Sequence, residues 1–315
     1  MRAVRPLEGN SGEYMKKTLI SVVGPTAIGK TSLAITLARH FDTEIISSDS
    51  RQFYKEMQIG TAVPTSRELA TVKHHFIKHK SIFESYSVGD FEREALRTLE
   101  KLFEKRPVVI MVGGSGLYND AVTKGLDEFP DVDPDIRRLL NQRLAEEGLE
   151  KLVSELEHLD GTYAQKVDRA NPHRVIRALE ICLGTGRPYS SFLSEKKKMR
   201  KFNTVSIGIR ADREIIYRRI DKRVHNMIDQ GLVEEAQGLY EHRHLNALRT
   251  VGYQELFEYI TGNTTLESAI AEIQKNTRRF AKRQMTWLRK NQDVLWIPYD
   301  ITEDDLITAV EQQLR

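Results

Sequence analysis

Residues 24–31 read GPTAIGKT, a GxxxxGK(S/T) pattern with Gly24, Gly29, Lys30 and Thr31 at the fixed positions. A loop of this kind works only between a strand and a helix. TLISVV (18–23) ahead of it is short, β-branched and apolar, and SLAITLARHF (32–41) behind it has apolar residues at helical spacing. Gly24, Pro25, Thr26, Ala27, Ile28, Gly29, Lys30 and Thr31 therefore form a cradle whose backbone amides, with the helix N-terminus, favour an anion at one spot. Lys30 is placed to reach an outer phosphate, and the Thr31 hydroxyl to hold Mg²⁺. The loop specifies a polyphosphate or a diphosphate without saying which.

The flanking pattern extends this unit into an α/β fold. TEIISSDS (43–50) reads as a strand ending at Asp49 and Ser50. DFEREALRTLEKLFEKR (90–106) reads as a helix with Asp90 as its N-cap, and PVVIMVGG (107–114) as a strand buried on both faces. Strands alternating with helices predict a parallel sheet flanked by helices, of the P-loop nucleoside-triphosphate-hydrolase type, with its site at the carboxyl ends of the strands. Residues 127–202 change character: they are helical, charged and punctuated by DVDPDI, NPHR and TGRP, which predicts a helical insertion. TVSIGIRAD (204–212) resumes the core, which thus covers 15–126 and 203–315. Helices follow, one of them the basic stretch around 268–290, then a last strand VLWIP (294–298) and a closing helix.

Charge narrows the partners. The net charge is only +3, but Thr162 to Arg223 holds 16 Lys/Arg against 6 Asp/Glu, and Lys275 to Lys290 holds 7 Lys/Arg and no acid. Two separate basic stretches point to a polyanion, nucleic acid above all. No run of 18 apolar residues exists to span a membrane. Residues 1–14 lack the apolar region of a secretory signal and are expected to be a disordered leader, with Met15 as a natural start. The lone Cys182 lies in an apolar helical run and reads as core, which fits a reducing cytoplasm. Nothing demands a dimer, so a monomer is expected. The adjacent His74 and His75 point different ways with no third ligand near in sequence, so they read as structural or RNA-facing, not as a zinc site.

In one respect the chain departs from an ordinary P-loop ATPase. The apolar strand that usually ends in a Mg²⁺-binding acid ends here in Gly113-Gly114-Ser115-Gly116. Asp49 could serve as that acid, but the polar and aromatic SRQFYKEMQIGTA after it reads as a loop for a second substrate. DSRQFYKEMQIGTA (49–62), GGSGLY (113–118), NPHRVIRALE (171–180), TVGYQEL (250–256) and TRRFAKRQMTWLR (277–289) follow GPTAIGKT in order. With them the chain resembles the tRNA dimethylallyltransferase family, also called tRNA isopentenyltransferases, from about Met15 to past Arg289. Three positions depart from the usual pattern: Val63 in place of Lys, Lys78 in place of Asp, and Ser115 in place of Thr, the last keeping its hydroxyl.

The resemblance implies transfer of a dimethylallyl group from dimethylallyl diphosphate to N6 of the adenine just 3′ of the anticodon in tRNA. Diphosphate is then a leaving group stabilised by the cradle, by Lys30 and by Mg²⁺ on Thr31, and by resemblance Arg219 and Arg223 reach across to it. An adenine amine is a poor nucleophile, so a base helps; Asp49 is the candidate, and Ser115 would orient the amine or a phosphate oxygen. The adenine must be extruded from its stack. The resemblance sets Asp49, Ser50, Arg51, Gln52 and Ser115 against it, with Gln52 able to read a base edge. It places Arg137, His173, Arg174, Val175, Ile176 and Arg177 of the insertion, and Arg278, Arg279, Lys282 and Arg283, along the RNA of the anticodon stem-loop. Three other readings stay open on the residues alone: a kinase using ATP with Asp49 activating a hydroxyl, a non-enzymatic nucleotide-gated RNA binder, and a prenyltransferase acting on free AMP or ADP. The basic insertion and C-terminal helix count against the kinase and the mononucleotide enzyme, and a strand-end acid beside a phosphate loop counts against the binder.

Overall fold

A computed structural model of the protein describes residues 16–194, 198–291 and 293–314. The expected leader 1–14 lies outside them. The described residues divide into two units, those within 16–123 and 200–314 and, separately, those within 124–199.

The first unit is built on six strands: β1 (Thr18–Val23), β2 (Ile45–Ser47), β3 (His74–His75), β4 (Val108–Val112), β5 (Asn203–Arg210) and β6 (Val294–Pro298). Their order is β3-β2-β4-β1-β5-β6 and every pairing is parallel. The chain works outward on one side of β1 through β2 and β3, returns with β4 beside β1, and then crosses to β5 and β6 on the other side. Such a reversal opens a crevice above the carboxyl ends of the strands around β1. Val22 lies level with Val112, so the phosphate loop after β1 and the Gly-Gly-Ser-Gly turn after β4 leave the sheet side by side.

Alternation along the strands fills two cores. Ile20, Val22, Ile110 and Val112 face one side, with Ala34 and Leu37 of α1 (Lys30–His40). Leu19, Ile46, Val109 and Met111 face the other, with the Phe91, Ala95, Leu99 and Phe103 stripe of α3 (Val88–Phe103). Each such fully buried aliphatic side chain contributes roughly 1.5–3 kcal/mol. Between β2 and β3 lies α2 (Ser66–Thr71), closed by a Thr65–Glu68 capping box. Ser87 caps α3, and Asp90 is its reciprocal partner three residues in, not the cap itself. A hydroxyl three residues upstream reaches the free amides better than a carboxylate already inside the first turn. The second strand also stops earlier than the pattern implies: Ser48 still donates to the Val112 carbonyl at 2.8 Å, and the chain then turns, leaving Asp49 and Ser50 in the loop above the sheet. The short helix α4 (Gly116–Thr123) follows β4.

The second unit packs α5 (Pro134–Glu147), α6 (Leu149–Leu159), α7 (Gly161–Ala164) and α8 (Pro172–Thr185) around Leu140, Leu152, Leu156, Val175, Leu179 and Cys182. DVDPDI and NPHR are helix starts: Asp133 and Asn171 cap, with Pro134 and Pro172 in the first turn, where a missing N–H costs nothing. Gly186 ends α8 in the left-handed conformation. Cys182 is buried, and burial raises its thiol pKa.

The first unit is completed by α9 (Arg213–Asp229), α10 (Leu232–Leu239), α11 (Tyr253–Ile260), the long α12 (Leu266–Leu288) and α13 (Glu303–Leu314). No helix among the described residues is long and apolar enough to cross a membrane.

Candidate active site

The site lies in the first unit, at the strand ends. The phosphate loop turns on Gly29, whose φ of 107° suits glycine and which leads into α1. Lys30 folds back so that Nζ donates to the Pro25 carbonyl at 2.8 Å. Burial pushes its ammonium down to about 8; the nearby Asp49 carboxylate works against that shift and the Arg223 guanidinium adds to it. Burial also lowers the pKa of Arg223, again opposed by Asp49. Two half-buried cations thus lie within electrostatic reach of one carboxylate, a setting ready for an anion of higher charge.

Helix α9 delivers both expected arginines to the loop. Arg219 donates from Nε to the Ala27 carbonyl at 2.8 Å, and Arg223 from Nη1 to the Thr26 hydroxyl at 3.2 Å. Across the cradle, the Gly-Gly-Ser-Gly turn stands against the loop after β2. Gly113 is required there, because a Cβ on it would lie 2.2 Å from Ser48 Oγ and 2.7 Å from the Ser48 backbone carbon. That close approach sets Ser115 Oγ at 3.2 Å from Ser50 Oγ and lets it accept from the Ser50 amide at 3.3 Å. Asp49 accepts from the Arg51 amide at 3.1 Å, which fixes its carboxylate at the start of the loop.

The 49–62 loop is held at both ends. Phe53, fully buried, sits among Phe91, Tyr86 and Tyr118. At the far end Glu235 accepts from the amides of Gln58 (3.0 Å), Ile59 (2.9 Å) and Gly60 (3.0 Å) and from the Tyr253 hydroxyl (2.6 Å). Burial and the Glu235 charge raise the pKa of that hydroxyl.

Some expected RNA contacts are placed differently. The Gln52 amide is occupied: Nε2 donates to the Ala62 carbonyl at 2.9 Å and to the Thr61 carbonyl at 3.3 Å, and Oε1 accepts from Ser47 Oγ at 3.4 Å. In this arrangement Gln52 braces the loop and does not present its amide to a base. Arg51 is tied to the Asn246 and Ala247 carbonyls at 3.2 and 3.0 Å. Val175 and Ile176 are 0% and 4% exposed in the core of the second unit, so their side chains are withdrawn from any nucleic-acid surface. On the same helix His173 and Arg174 are exposed, while Arg177 joins Arg137 on the buried Glu180 carboxylate at 2.9 and 2.7 Å. On α12, Arg279, Lys282 and Arg283 are exposed, but Arg278 is paired with Asp221 at 2.6 Å and lies over Tyr217. His75 meets Glu44 at 2.6 Å and His74 meets the Val72 carbonyl at 2.8 Å. Among the described residues no group of three or more His, Cys, Asp or Glu could hold a metal.

Two residues at the site went unread in the sequence. Glu235 has no local signature. Gln284 sits on the buried stripe of α12 with Ala269, Ile273, Ala281 and Leu288, and an amide at such a position is a signal in itself.

A phosphate cradle on a parallel sheet, facing a loop carboxylate and lacking an acid after β4, defines a P-loop-type α/β enzyme whose cradle faces an unusually polar, aromatic loop. Comparison with known proteins specifies it further. A family model described as IPP transferase matches residues 52–291. The tRNA dimethylallyltransferase of Christiangramia forsetii is 58% identical over 301 residues, covering 96% of this chain and 100% of that protein. The Flavobacterium johnsoniae tRNA dimethylallyltransferase is 52% identical over 305 residues, covering 95% and 99%. Among solved structures, the full-length tRNA isopentenylpyrophosphate transferase of Bacillus halodurans superposes with a TM-score of 0.70 at 37% identity, covering 95% of this chain and 96% of that one. A eukaryotic dimethylallyltransferase acting on tRNA gives a TM-score of 0.79 at 26% identity, covering 94% and 77%. The chain belongs to the tRNA dimethylallyltransferase family of prenyl-transferring enzymes.

Proposed function

We propose that the protein transfers the dimethylallyl group of dimethylallyl diphosphate to N6 of the adenine 3′-adjacent to the anticodon of tRNA, releasing diphosphate. The observation that carries this reading is the electrostatic coupling of the Asp49 carboxylate to both Lys30 and Arg223 at the phosphate loop, with the adjacent Ser50 bonded to Ser115. A carboxylate there can take a proton from an incoming amine while the two cations receive a departing diphosphate.

The step balances as a substitution at carbon. The C1–O bond to the diphosphate breaks and its electron pair leaves with the diphosphate. The C1–N6 bond forms, and the N6 proton passes to Asp49. Lys30, Arg219, Arg223 and the loop amides of 27–31 hold the charge that develops; a preorganised contact of this kind is worth about 3 kcal/mol in the transition state. Ser115, steadied by Ser50, orients the amine or a phosphate oxygen. A Mg²⁺ ion fits the donor set, since hard oxygens suit it and it needs few protein ligands when phosphate and water supply the rest. The Thr31 hydroxyl in the first turn of α1 is the residue that would hold it. Bound there, the ion would neutralise diphosphate charge.

The anticodon stem-loop is the RNA this reading requires. Arg279, Lys282 and Arg283 on α12 supply one basic surface, and His173 and Arg174 on α8, with Arg137 and Arg177 held on Glu180, supply a second on the other unit. The protein acts as a monomer in the cytoplasm. The test is incubation with carbon-labelled dimethylallyl diphosphate and unmodified tRNA, followed by digestion to nucleosides. Label in N6-dimethylallyl adenosine from the position after the anticodon is expected; label only in free AMP or ADP would overturn the tRNA assignment.

A further inference from the structure

The Gln284 side chain is 7% exposed and spans the two halves of the cradle. Its Oε1 accepts from the Thr26 amide at 2.8 Å, and its Nε2 donates to the Gly114 carbonyl at 2.9 Å. The partners lie 258 and 170 residues away in sequence. The orientation of the amide is forced, because a backbone N–H can only donate and a carbonyl only accept. A Cβ on Gly114 would stand 2.3 Å from Nε2 and 3.6 Å from Lys30 Nζ, so the amide and the ammonium flank the same glycine. Thr26 is also the residue whose hydroxyl receives Arg223. One turn further along α12, the Trp287 ring lies where a Cβ on Gly116 would be, 2.5 Å from its nearest atom, and Nε1 donates to Asp120 at 3.0 Å. Helix α12 therefore grips the phosphate loop and the Ser115 turn together, and Gln284 bonds to both.

We infer that Gln284 is a positioning residue that fixes the phosphate loop against the Ser115 turn, and so sets where the diphosphate lies relative to the hydroxyl and carboxylate on the far wall. This deepens the transfer reaction proposed above and rests on it. The task suits glutamine alone among the common side chains of its length. Glutamate keeps the acceptor for Thr26 but sets a carboxylate against the Gly114 carbonyl. Methionine fills the volume and loses both bonds. Asparagine is one methylene short. An apolar residue of the same shape would pack the stripe but leave the Thr26 amide and the Gly114 carbonyl without the partner that Gln284 gives them, so the amide is what ties the two backbone segments together.

The experiment compares wild type, Gln284→Met and Gln284→Glu in two assays: equilibrium binding of inorganic diphosphate with Mg²⁺, and single-turnover prenylation of unmodified tRNA. RNA affinity and thermal midpoint are recorded beside them. Gln284→Met is expected to weaken diphosphate binding about tenfold and to slow single turnover a further tenfold or more, with RNA affinity within about threefold, and to lower the thermal midpoint by a few degrees because two backbone groups lose a partner. Gln284→Glu, which retains one bond, is expected to bind RNA normally and to recover single turnover relative to wild type as pH falls and its carboxyl becomes a donor again. Diphosphate affinity and single-turnover rate within twofold of wild type in both variants would overturn the inference. So would losses that track RNA affinity, or that disappear when both assays are run well below the thermal midpoints of the variants. Should Gln284→Met fail to fold, the acid recovery of Gln284→Glu decides alone, and its absence overturns the inference. A wild type that binds diphosphate but labels no tRNA would refute the transfer reaction instead, and the diphosphate arm would still judge Gln284.

Discussion

Lys30 gives the sharpest quantitative handle on the site. An ordinary lysine titrates at 10.5, whereas burial in the phosphate loop brings this one to about 8. The sign follows directly: below about 8 the ammonium is charged and ready for a diphosphate, and above it the free protein holds a neutral amine. Binding an anion must then bring the proton back. At pH 9 only about one-tenth of the free protein is protonated, so affinity for dimethylallyl diphosphate should fall about tenfold per pH unit above 8. The limb is bounded by the interaction it removes. Unit charges 4 Å apart at an effective dielectric of 20 attract by about 4 kcal/mol, about a thousandfold in binding. Titration calorimetry with dimethylallyl diphosphate in the absence of RNA, from pH 7 to 9.5, measures this. The prenyl ester is preferable to inorganic diphosphate because its own ionisation is complete in that range. Lys30→Met should bind up to about a thousandfold more weakly at pH 7 and show no falling limb. Asp49→Asn removes the charge that holds the Lys30 proton, so the limb should move to lower pH. A flat wild-type profile to pH 9.5, or a limb that survives in Lys30→Met, would refute the reasoning.

Other expectations follow from the same geometry. Asp49→Asn should cut single-turnover prenylation by about 10²–10⁴ with RNA affinity within a few-fold; lost affinity with an unchanged rate would reassign Asp49 to binding. RNA affinity should fall steeply with salt, and Lys282→Gln or Arg283→Gln should each lower the log–log slope by about one, as a lost phosphate contact requires. Gly113→Ala should cost about 1–3 kcal/mol in chemical denaturation because of the clash with Ser48, whereas Gly238→Ala, with nothing within 4 Å of the new methyl, should be neutral or mildly stabilising.

The parts of this molecule that depend on neighbours in sequence were legible without coordinates. The phosphate loop between an apolar strand and an amphipathic helix, the all-apolar strand before Gly113, and the return of strand character at 204 each carry a local period. The two-residue β3 carries none; His74 and His75 count as a strand only because β2 lies alongside. The end of β2 falls short of its sequence pattern because IISSDS stays strand-like in composition, while pairing stops where β4 gives way to its glycine turn. Gln52 illustrates the harder limit. Its amide chemistry suits a base edge, but the Thr61 and Ala62 carbonyls nine and ten residues on compete for the same donors and hold them. Gln284 and Glu235 lie further still from what they touch, and no spacing rule links residue 284 to residues 26 and 114. Val175 and Ile176 sit within a stretch whose exposed members are basic, and only the helical face separates them from His173 and Arg174.

The central claim is that the cradle holds a leaving group and that carbon, not phosphorus, is transferred. Dimethylallyl diphosphate carrying one label on C1 and another on phosphorus tests it in a single incubation with unmodified tRNA. The carbon label is expected in the RNA and the phosphorus label in free diphosphate, one for one. Phosphorus label in RNA or protein, or a nucleoside triphosphate consumed in step while the RNA stays unaltered, would contradict it.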